Sequence, residues 1–127
     1  MHPLSTTLLV AAAGSVGVLA RWGCIRLVGL LANGLPPHGA TLTVNLIGSF
    51  LAGILYPLTR SLHPAAISAI FIGFLGAFTT FSTYSLETVR LAFDGCLTQA
   101  AVNVLLQNIL GLAAAALGLW IGRMLSA

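Results

Sequence analysis

The chain has 127 residues, of which 58% are hydrophobic and 6% charged, and its mean hydropathy is +1.05. A soluble domain carries roughly 25% charged residues, so this composition excludes one and indicates a protein embedded in a lipid bilayer. The formal charge of +3 comes from scattered arginines, which excludes the clustered basic face of a nucleic-acid-binding protein.

Four apolar segments are each long enough to cross a bilayer, which takes about 20 residues. The N-terminal segment lacks the positively charged start of a secretory signal and is interpreted as the first span. Turns rich in glycine, proline or polar residues separate the segments, at 33–39, 60–64 and 94–95. The sequence therefore predicts an all-α membrane protein with one four-helix transmembrane domain over residues 1–127. The spans are expected at about 4–26, 41–58, 65–93 and 98–121.

The arginines are distributed almost evenly between the two sides of such a bundle. Arg60 and Arg123 fall on one side, and Arg26 and Arg90 on the other with Arg21 nearby. Orientation in the membrane follows the Lys and Arg excess of the cytoplasmic loops, and this distribution favours neither orientation. We therefore expect the chain to insert both ways up and to pair as an antiparallel homodimer.

Glycines recur at helical spacing in the first three predicted spans. In lipid, small residues let helix backbones approach closely and gain packing contacts. We expect most of them to pack inside one bundle and some to meet a second copy. The glycines concerned are Gly14, Gly17, Gly48, Gly53, Gly73 and Gly76.

The densest polar stretch lies in the middle of the third span, at residues 76–85. Ser and Thr hydroxyls bond to the carbonyls of their own helix and often bend it, and the glycine before them weakens the helix further. We expect a broken helix between Gly76 and Thr80. Irregular backbone at that depth is tolerated only where protein or a polar cavity buries it, and its carbonyls can hold a cation. A hydroxyl-rich packing face is the structural alternative.

Amide and aromatic side chains in the other spans are further candidates for a polar path. Asn45, in the middle of span two, offers two donors and an acceptor, and an interhelical hydrogen bond is the alternative role. Phe81 and Tyr84 are three apart on one helix face, where a core contact is the alternative. Span four repeats the theme with Asn103, Gln107 and Asn108.

No catalytic constellation is present, so we expect no enzyme. Glu87 and Asp94 are the only carboxylates, and neither pairs with a histidine at helical spacing. An ion pair with Arg90 is the simplest role for Glu87. The histidines fall in segments expected to be terminal or looped, at His2, His38 and His63.

Three motifs occur in order along nearly the whole chain. The first is Gly14-x-x-Gly17-x-x-x-Arg21, and the second is Gly39-Ala40-Thr41-Leu42-Thr43-Val44-Asn45-x-x-Gly48-Ser49-Phe50. The third is Gly73-Phe74-Leu75-Gly76-x-x-Thr79-Thr80-Phe81-Ser82-Thr83-x-Ser85-x-Glu87. Together they resemble the Fluc/CrcB family of small fluoride ion channels.

The resemblance implies an antiparallel, dual-topology homodimer with two pores that exports fluoride passively and gives fluoride resistance. It also implies a multi-pass protein of a cell membrane, the bacterial inner membrane. The resemblance assigns pore-lining roles to Asn45 and Phe81. It assigns the same role to Tyr84, which occupies a position where the family has a phenylalanine. Polar groups beside the path map to Thr41, Ser82, Thr83 and Asn108, with Gln107 as the alternative to Asn108.

The resemblance further implies a structural sodium ion at the dimer axis, held by the backbone carbonyls of Gly76 and Thr79. No organic cofactor is expected. Arg21, Gly48 and Glu87 take structural roles.

A small multidrug exporter is the competing interpretation, because it too is a dual-topology dimer of four short helices. Such a proton-coupled pump would be expected to have a membrane-embedded acid in the first span. Span one here has no Asp or Glu, and its ionisable group at that depth is Arg21.

Overall fold

The described part of the chain is almost entirely helical. A computed structural model describes residues 3–32 and 37–126. The elements are α1 (Pro3–Leu31), α2 (Pro37–Leu58), α3 (Pro64–Ser68), the π-helical segment (Ala69–Leu75), α4 (Gly76–Phe78), α5 (Phe81–Phe93) and α6 (Leu97–Leu125). Helices α1, α2 and α6 are each continuous, whereas the third span comprises α3, the π-helical segment, α4 and α5.

Four helical stretches of the described chain are long and apolar enough to cross a membrane. They are Pro3–Leu31, His38–Leu58, Pro64–Phe93 and Leu97–Leu125. The all-α prediction with four helices of spanning length is therefore confirmed.

Three helix boundaries differ from the predicted ones. Helix α1 continues to Leu31 and α6 to Leu125, because the residues that follow the predicted ends at 26 and 121 contain no proline to stop them. Helix α2 starts at Pro37 instead of 41, since proline suits the first helical position. The prediction that His38 lies in a loop is consequently wrong. His2 and residues 33–36 lie outside the described residues.

The turns on either side of the third span have local causes. His63 caps the start of α3, where its Nδ1 accepts a hydrogen bond from the Ala65 N–H at 3.2 Å. At the other end, Gly95 has a φ of +78°, a left-handed conformation that glycine adopts at no steric cost. The turn predicted at Asp94 and Gly95 follows from that glycine.

The third span breaks at Thr79 and Thr80, inside the predicted interval. Thr79 has φ −80° and ψ 161°, and Thr80 has φ −148° and ψ 108°. Both residues are extended, so the helix before them ends and α5 starts anew. The π-helical segment before the break was not predicted, although such segments often occur at functional sites.

The helices pack as two groups around this break. Helix α1 packs on the π-helical segment and α4, while α2 packs on α6 and α5 packs on α6. A Cβ on Gly17 would collide with the Phe74 carbonyl, and one on Gly118 would collide with the Phe50 carbonyl. Glycine thus allows the close approach of backbones in both groups. Gly76, by contrast, is exposed on the single chain.

Candidate functional site

The amide of Asn45 fills the gap that the break opens in the third span. Its Oδ1 accepts a hydrogen bond from the Thr80 N–H at 2.9 Å, and its Nδ2 donates to the Thr80 carbonyl at 3.2 Å. Because Thr80 is extended, its N–H and C=O point to the same side, where one partner can engage both. Nδ2 also donates to Gln107 Oε1 at 3.0 Å. Asn45 therefore joins span two to spans three and four.

The same arrangement releases two backbone carbonyls of the third span. In a continuous helix the Thr80 N–H would bond to the Gly76 carbonyl, and the Thr83 N–H to the Thr79 carbonyl. Here Thr80 donates to Asn45, and Thr83 donates to Thr80 Oγ1 at 3.2 Å. Carbonyls at the end of a half-helix are ligands of the type that hold Na⁺.

Arg21 reaches the carbonyl end of this half-helix. Its Nη1 donates a hydrogen bond to the Thr79 carbonyl at 3.3 Å. The C-terminal end of a helix carries partial negative charge, so a cationic group is stabilised there. The guanidinium uses one lone pair of that carbonyl. The two released carbonyl oxygens are therefore ligands of the chemical type that a hard cation takes. The Thr79 oxygen would be shared between such a cation and Arg21.

The opposite side of the break is the N-terminus of α5, where hydroxyl groups cluster. Thr80 is the N-cap residue, and its Oγ1 shares hydrogen bonds with Ser82 Oγ at 3.4 Å and Thr83 Oγ1 at 2.9 Å. A helix N-terminus carries partial positive charge and favours anions. The predicted hydroxyls of Ser82 and Thr83 therefore lie at the start of α5, and both residues are exposed on the single chain.

A cavity of about 250 Å³ lies beside the break and is lined by uncharged residues. The rings of Phe81 and Tyr84 meet edge to face there, with centroids 5.4 Å apart. Phe81 is 78% exposed on the single chain. The predicted aromatic pair and Asn45 are thus brought together at one site. The lining residues are Asn45, Ser49, Thr79, Thr80, Phe81, Tyr84, Gln107 and Asn108.

Two of the three span-four candidates, Gln107 and Asn108, line this cavity, whereas Asn103 is buried elsewhere and donates to Thr88 Oγ1 at 2.9 Å. Asn108 Nδ2 donates to the Val104 carbonyl at 2.8 Å and to the Tyr84 hydroxyl at 3.4 Å. Gln107 Oε1 accepts from Asn45, while Gln107 Nε2 is buried without a hydrogen-bond partner. The cavity wall on span four is therefore built from two amides.

Thr41 lies outside this cavity. It is 3% exposed and donates from Oγ1 to Glu87 Oε1 at 2.8 Å. The ion pair predicted between Glu87 and Arg90 is not formed among the described residues, because the carboxylate is turned toward Thr41. Glu87 and Arg90 instead line a second cavity, of about 230 Å³, together with His38, Leu91 and Asp94.

Gly48 explains how span two comes close enough for Asn45 to reach the break. A Cβ there would collide with the Thr79 Cγ2 methyl group. Ser49, the next residue, lines the cavity beside the break. Neither Ser49 nor the backbone of Thr80 was predicted to be part of the site. A serine four residues after Asn45 on the same helix was the available signal for the first.

Comparison with known proteins gives one consistent family. The model of the CrcB-like protein family, described as camphor resistance (CrcB), matches residues 8–119. Proteins named fluoride-specific ion channel FluC are similar over almost the whole chain. The relative in Methylococcus capsulatus is 45% identical over 121 residues, which is 92% of this chain and 50% of the relative.

Two further relatives with the same name are matched over nearly their full length. The protein of Magnetococcus marinus is 42% identical over 119 residues, covering 91% of this chain and 96% of the relative. The protein of Syntrophotalea carbinolica is 41% identical over 121 residues, with coverages of 91% and 96%. The chain thus spans about half the length of the Methylococcus relative and most of the other two.

These matches, with four helices of spanning length, identify a multi-pass membrane protein and confirm the resemblance of its motifs. The chain belongs to the CrcB-like family, whose matched relatives are fluoride ion channels and not enzymes.

Proposed function

We propose that this protein is a fluoride-selective channel that exports fluoride passively through pores formed in a dual-topology homodimer of the bacterial inner membrane. The observation that carries the proposal is the uncharged, polar cavity built on the break at Thr79 and Thr80. The relatives at 41–45% identity are named fluoride-specific ion channels, which supports the same ion for this chain.

The cavity has the chemistry that fluoride requires. Moving a carboxylate-sized ion from water into a low-dielectric medium costs on the order of 20 kcal/mol in the idealised Born estimate, and the smaller fluoride costs more. One hydrogen bond in an apolar medium returns only about 4 to 6 kcal/mol. A path therefore needs several donors in succession, which amides, hydroxyls and the positive ring edges of Phe81 and Tyr84 provide.

The absence of a charged side chain from the cavity lining suits conduction. Binding must be favourable enough for an ion to enter and weak enough for it to leave. A lysine or arginine in the narrow part would hold fluoride too strongly. In the proposed path, Ser82 and Thr83 extend the series of polar groups from Phe81. Thr41, one helical turn before Asn45, adds no donor to it, because its hydroxyl hydrogen goes to Glu87.

The proposed dimer would complete a sodium site for which one chain supplies only two oxygens. Sodium in this proposal is held by the carbonyls of Gly76 and Thr79, two oxygens from each chain. Two antiparallel copies would supply four oxygens around one axis. The exposed positions of Gly76 and Phe81 on the single chain support a partner at this face. Arg21, which donates a hydrogen bond to the Thr79 carbonyl of its own chain, would hold that carbonyl in place.

Anion efflux from vesicles tests the function. Liposomes that contain the purified protein are expected to release internal fluoride far faster than protein-free liposomes. They are expected to retain chloride, because only fluoride is small enough to pass along the series of hydrogen-bond donors. A fluoride-selective and a chloride-selective electrode report the two rates. Equal release of both anions would contradict selectivity.

Labelling from outside intact cells tests the dual topology. Cys24 and Cys96, both partly buried, are first replaced by alanine, and Ser61, exposed in the turn before span three, is changed to cysteine. A membrane-impermeant thiol reagent is expected to label about half of the copies, since opposite orientations occur in equal number in an antiparallel dimer. Labelling of every copy, or of none, would refute the arrangement.

A further inference from the structure

The end of α5 carries an exposed aromatic ring next to an acid. Phe93 is the last residue of α5 and is 88% exposed, more than any other large apolar side chain in the described chain. Asp94 follows it, is also exposed, and forms no ion pair with a described residue. An apolar ring and an unneutralised carboxylate therefore lie side by side at this end of the third span.

A cavity of about 450 Å³ at the end of α2 has the complementary character. Tyr56 of α2 and Phe71 of the π-helical segment line it and meet edge to face, with ring centroids 6.4 Å apart. Arg60 also lines it, no carboxylate does, and Arg60 forms no ion pair with a described residue. This aromatic cavity offers apolar walls to a ring and a cation to an acid.

The aromatic cavity lies on the face of α2 that also borders the helix break. Tyr56 and Phe71 line a further cavity, of about 320 Å³, together with Ala52. Ala52 follows Ser49 by one helical turn, and Ser49 lines the cavity beside the break. Residues at this spacing share a helix face. The aromatic cavity therefore continues the surface on which Phe81 is exposed and on which the proposed partner packs.

Helix lengths place Phe93 and the aromatic cavity equally far from the break, on opposite sides of it. Helix α5 has 13 residues and extends roughly 20 Å from the break. The part of α2 that follows Asn45, which bonds to the break at Thr80, is equally long and ends at Leu58. The two segments run in opposite directions, so their ends are about 40 Å apart within one chain. Inverting a second copy about an axis through the break brings the end of its α5 to the level of the aromatic cavity.

We propose that Phe93 of each copy inserts between Tyr56 and Phe71 of the other copy, and that Asp94 pairs with Arg60 across the same contact. This inference rests on the dual-topology homodimer of the proposed function. A two-fold axis repeats the contact at both ends of the dimer. The ring fills an aromatic site with specific geometry, and the opposite charges fix its register.

The contact selects the antiparallel arrangement of the two copies. In a parallel pair, both Phe93 side chains lie on one side of the membrane and both aromatic cavities on the other. Neither the ring nor the acid then reaches its partner, and Arg60 and Asp94 stay without a counter-charge.

Disulfide trapping tests the pairing of Arg60 with Asp94. Arg60→Cys and Asp94→Cys are combined in a chain that carries Cys24→Ala and Cys96→Ala, and the protein is oxidised in liposomes. A disulfide needs two Cβ atoms about 4 Å apart, so only copies that touch at this point are linked. We expect at least about half of the chains to run as a covalent dimer without reductant and as a monomer with it.

The two single-cysteine variants are the matched controls. In an antiparallel dimer the two copies of residue 60 lie on opposite membrane surfaces, about 40 Å apart, and so do the two copies of residue 94. Arg60→Cys alone and Asp94→Cys alone should therefore give less than about one tenth of the covalent dimer that the pair gives.

A second cysteine pair tests the position of the Phe93 ring. Tyr56→Cys with Phe93→Cys is expected to link as efficiently as the first pair. Tyr56→Cys with Leu86→Cys uses another exposed residue of α5, two helical turns closer to the break, and should link at least about five-fold less. Equal yields from these two pairs would show that Phe93 does not occupy the aromatic cavity.

The outcomes separate the contact from the proposed function. If the paired variants elute as folded dimers and release fluoride from liposomes, yet link no better than the single variants, the contact is wrong and the channel function stands. If the single variants link as efficiently as the first pair, the copies are parallel, and the dual-topology dimer is wrong together with the contact.

Discussion

Replacing Asn45 by alanine is expected to slow fluoride efflux by at least about 100-fold and to lower the free energy of unfolding by about 3 kcal/mol. The change removes one side chain but leaves three polar groups unpaired: the Thr80 N–H, the Thr80 carbonyl and Gln107 Oε1. Each buried unpaired group costs about 1 to 3 kcal/mol. Electrode-recorded efflux and thermal unfolding in detergent measure the two effects.

Thr43→Ala is the matched control, two residues earlier on the same helix. The Thr43 hydroxyl donates to the Gly39 carbonyl of its own helix at 2.9 Å. Removing it leaves an α-helical carbonyl that still has its backbone partner, so efflux is expected to stay within about two-fold and stability within about 0.5 kcal/mol of wild type. If Asn45→Ala behaves like this control, the break does not depend on the side-chain amide.

The second large effect concerns the contact between spans two and four. Gly118→Ala is expected to lower the free energy of unfolding by about 1 to 3 kcal/mol. The new Cβ would collide with the Phe50 carbonyl and lie 3.1 Å from the Ile54 nitrogen. Backbone atoms cannot rotate away as a side chain can, so α2 and α6 must separate. Thermal unfolding of the purified protein measures the loss.

Gly111→Ala provides the control on the same helix. A Cβ at Gly111 would meet only Ser49 Oγ, at 4.0 Å, so the alanine fits in the existing space. Alanine is also favoured over glycine within a helix, by about 1 kcal/mol. This variant is expected to unfold at or above the wild-type temperature. An equal loss in both variants would mean that helix separation is not the cause.

The sequence predicts the spans and the break because each depends on local composition. About 20 apolar residues suffice to define a span, and the run of hydroxyl residues after Gly76 marks the weak point of the third helix. The helix ends at Leu31 and Leu125 were less predictable, since no breaking residue marks them.

The hydrogen-bond partners inside the site could not be predicted from the sequence composition. Gln107 and Asn108 are adjacent on α6, and adjacent residues point about 100° apart on a helix. Only the rotation of α6 against α2, set by packing at glycines such as Gly118, brings Gln107 to Asn45. The same dependence on packing decides that Glu87 accepts from Thr41 and does not pair with Arg90, which is three residues further along its own helix.

The most direct measurement of the central claim is the reversal potential of the purified protein in a voltage-clamped planar bilayer. A fluoride gradient is imposed at equal pH, sodium and chloride, and a pH gradient is then added. If an uncharged series of hydrogen-bond donors passes fluoride alone, the current reverses at the fluoride equilibrium potential. The reversal potential then does not change when the pH gradient is added. A reversal that stays at zero under the fluoride gradient, or that shifts with pH, would contradict passive fluoride conduction.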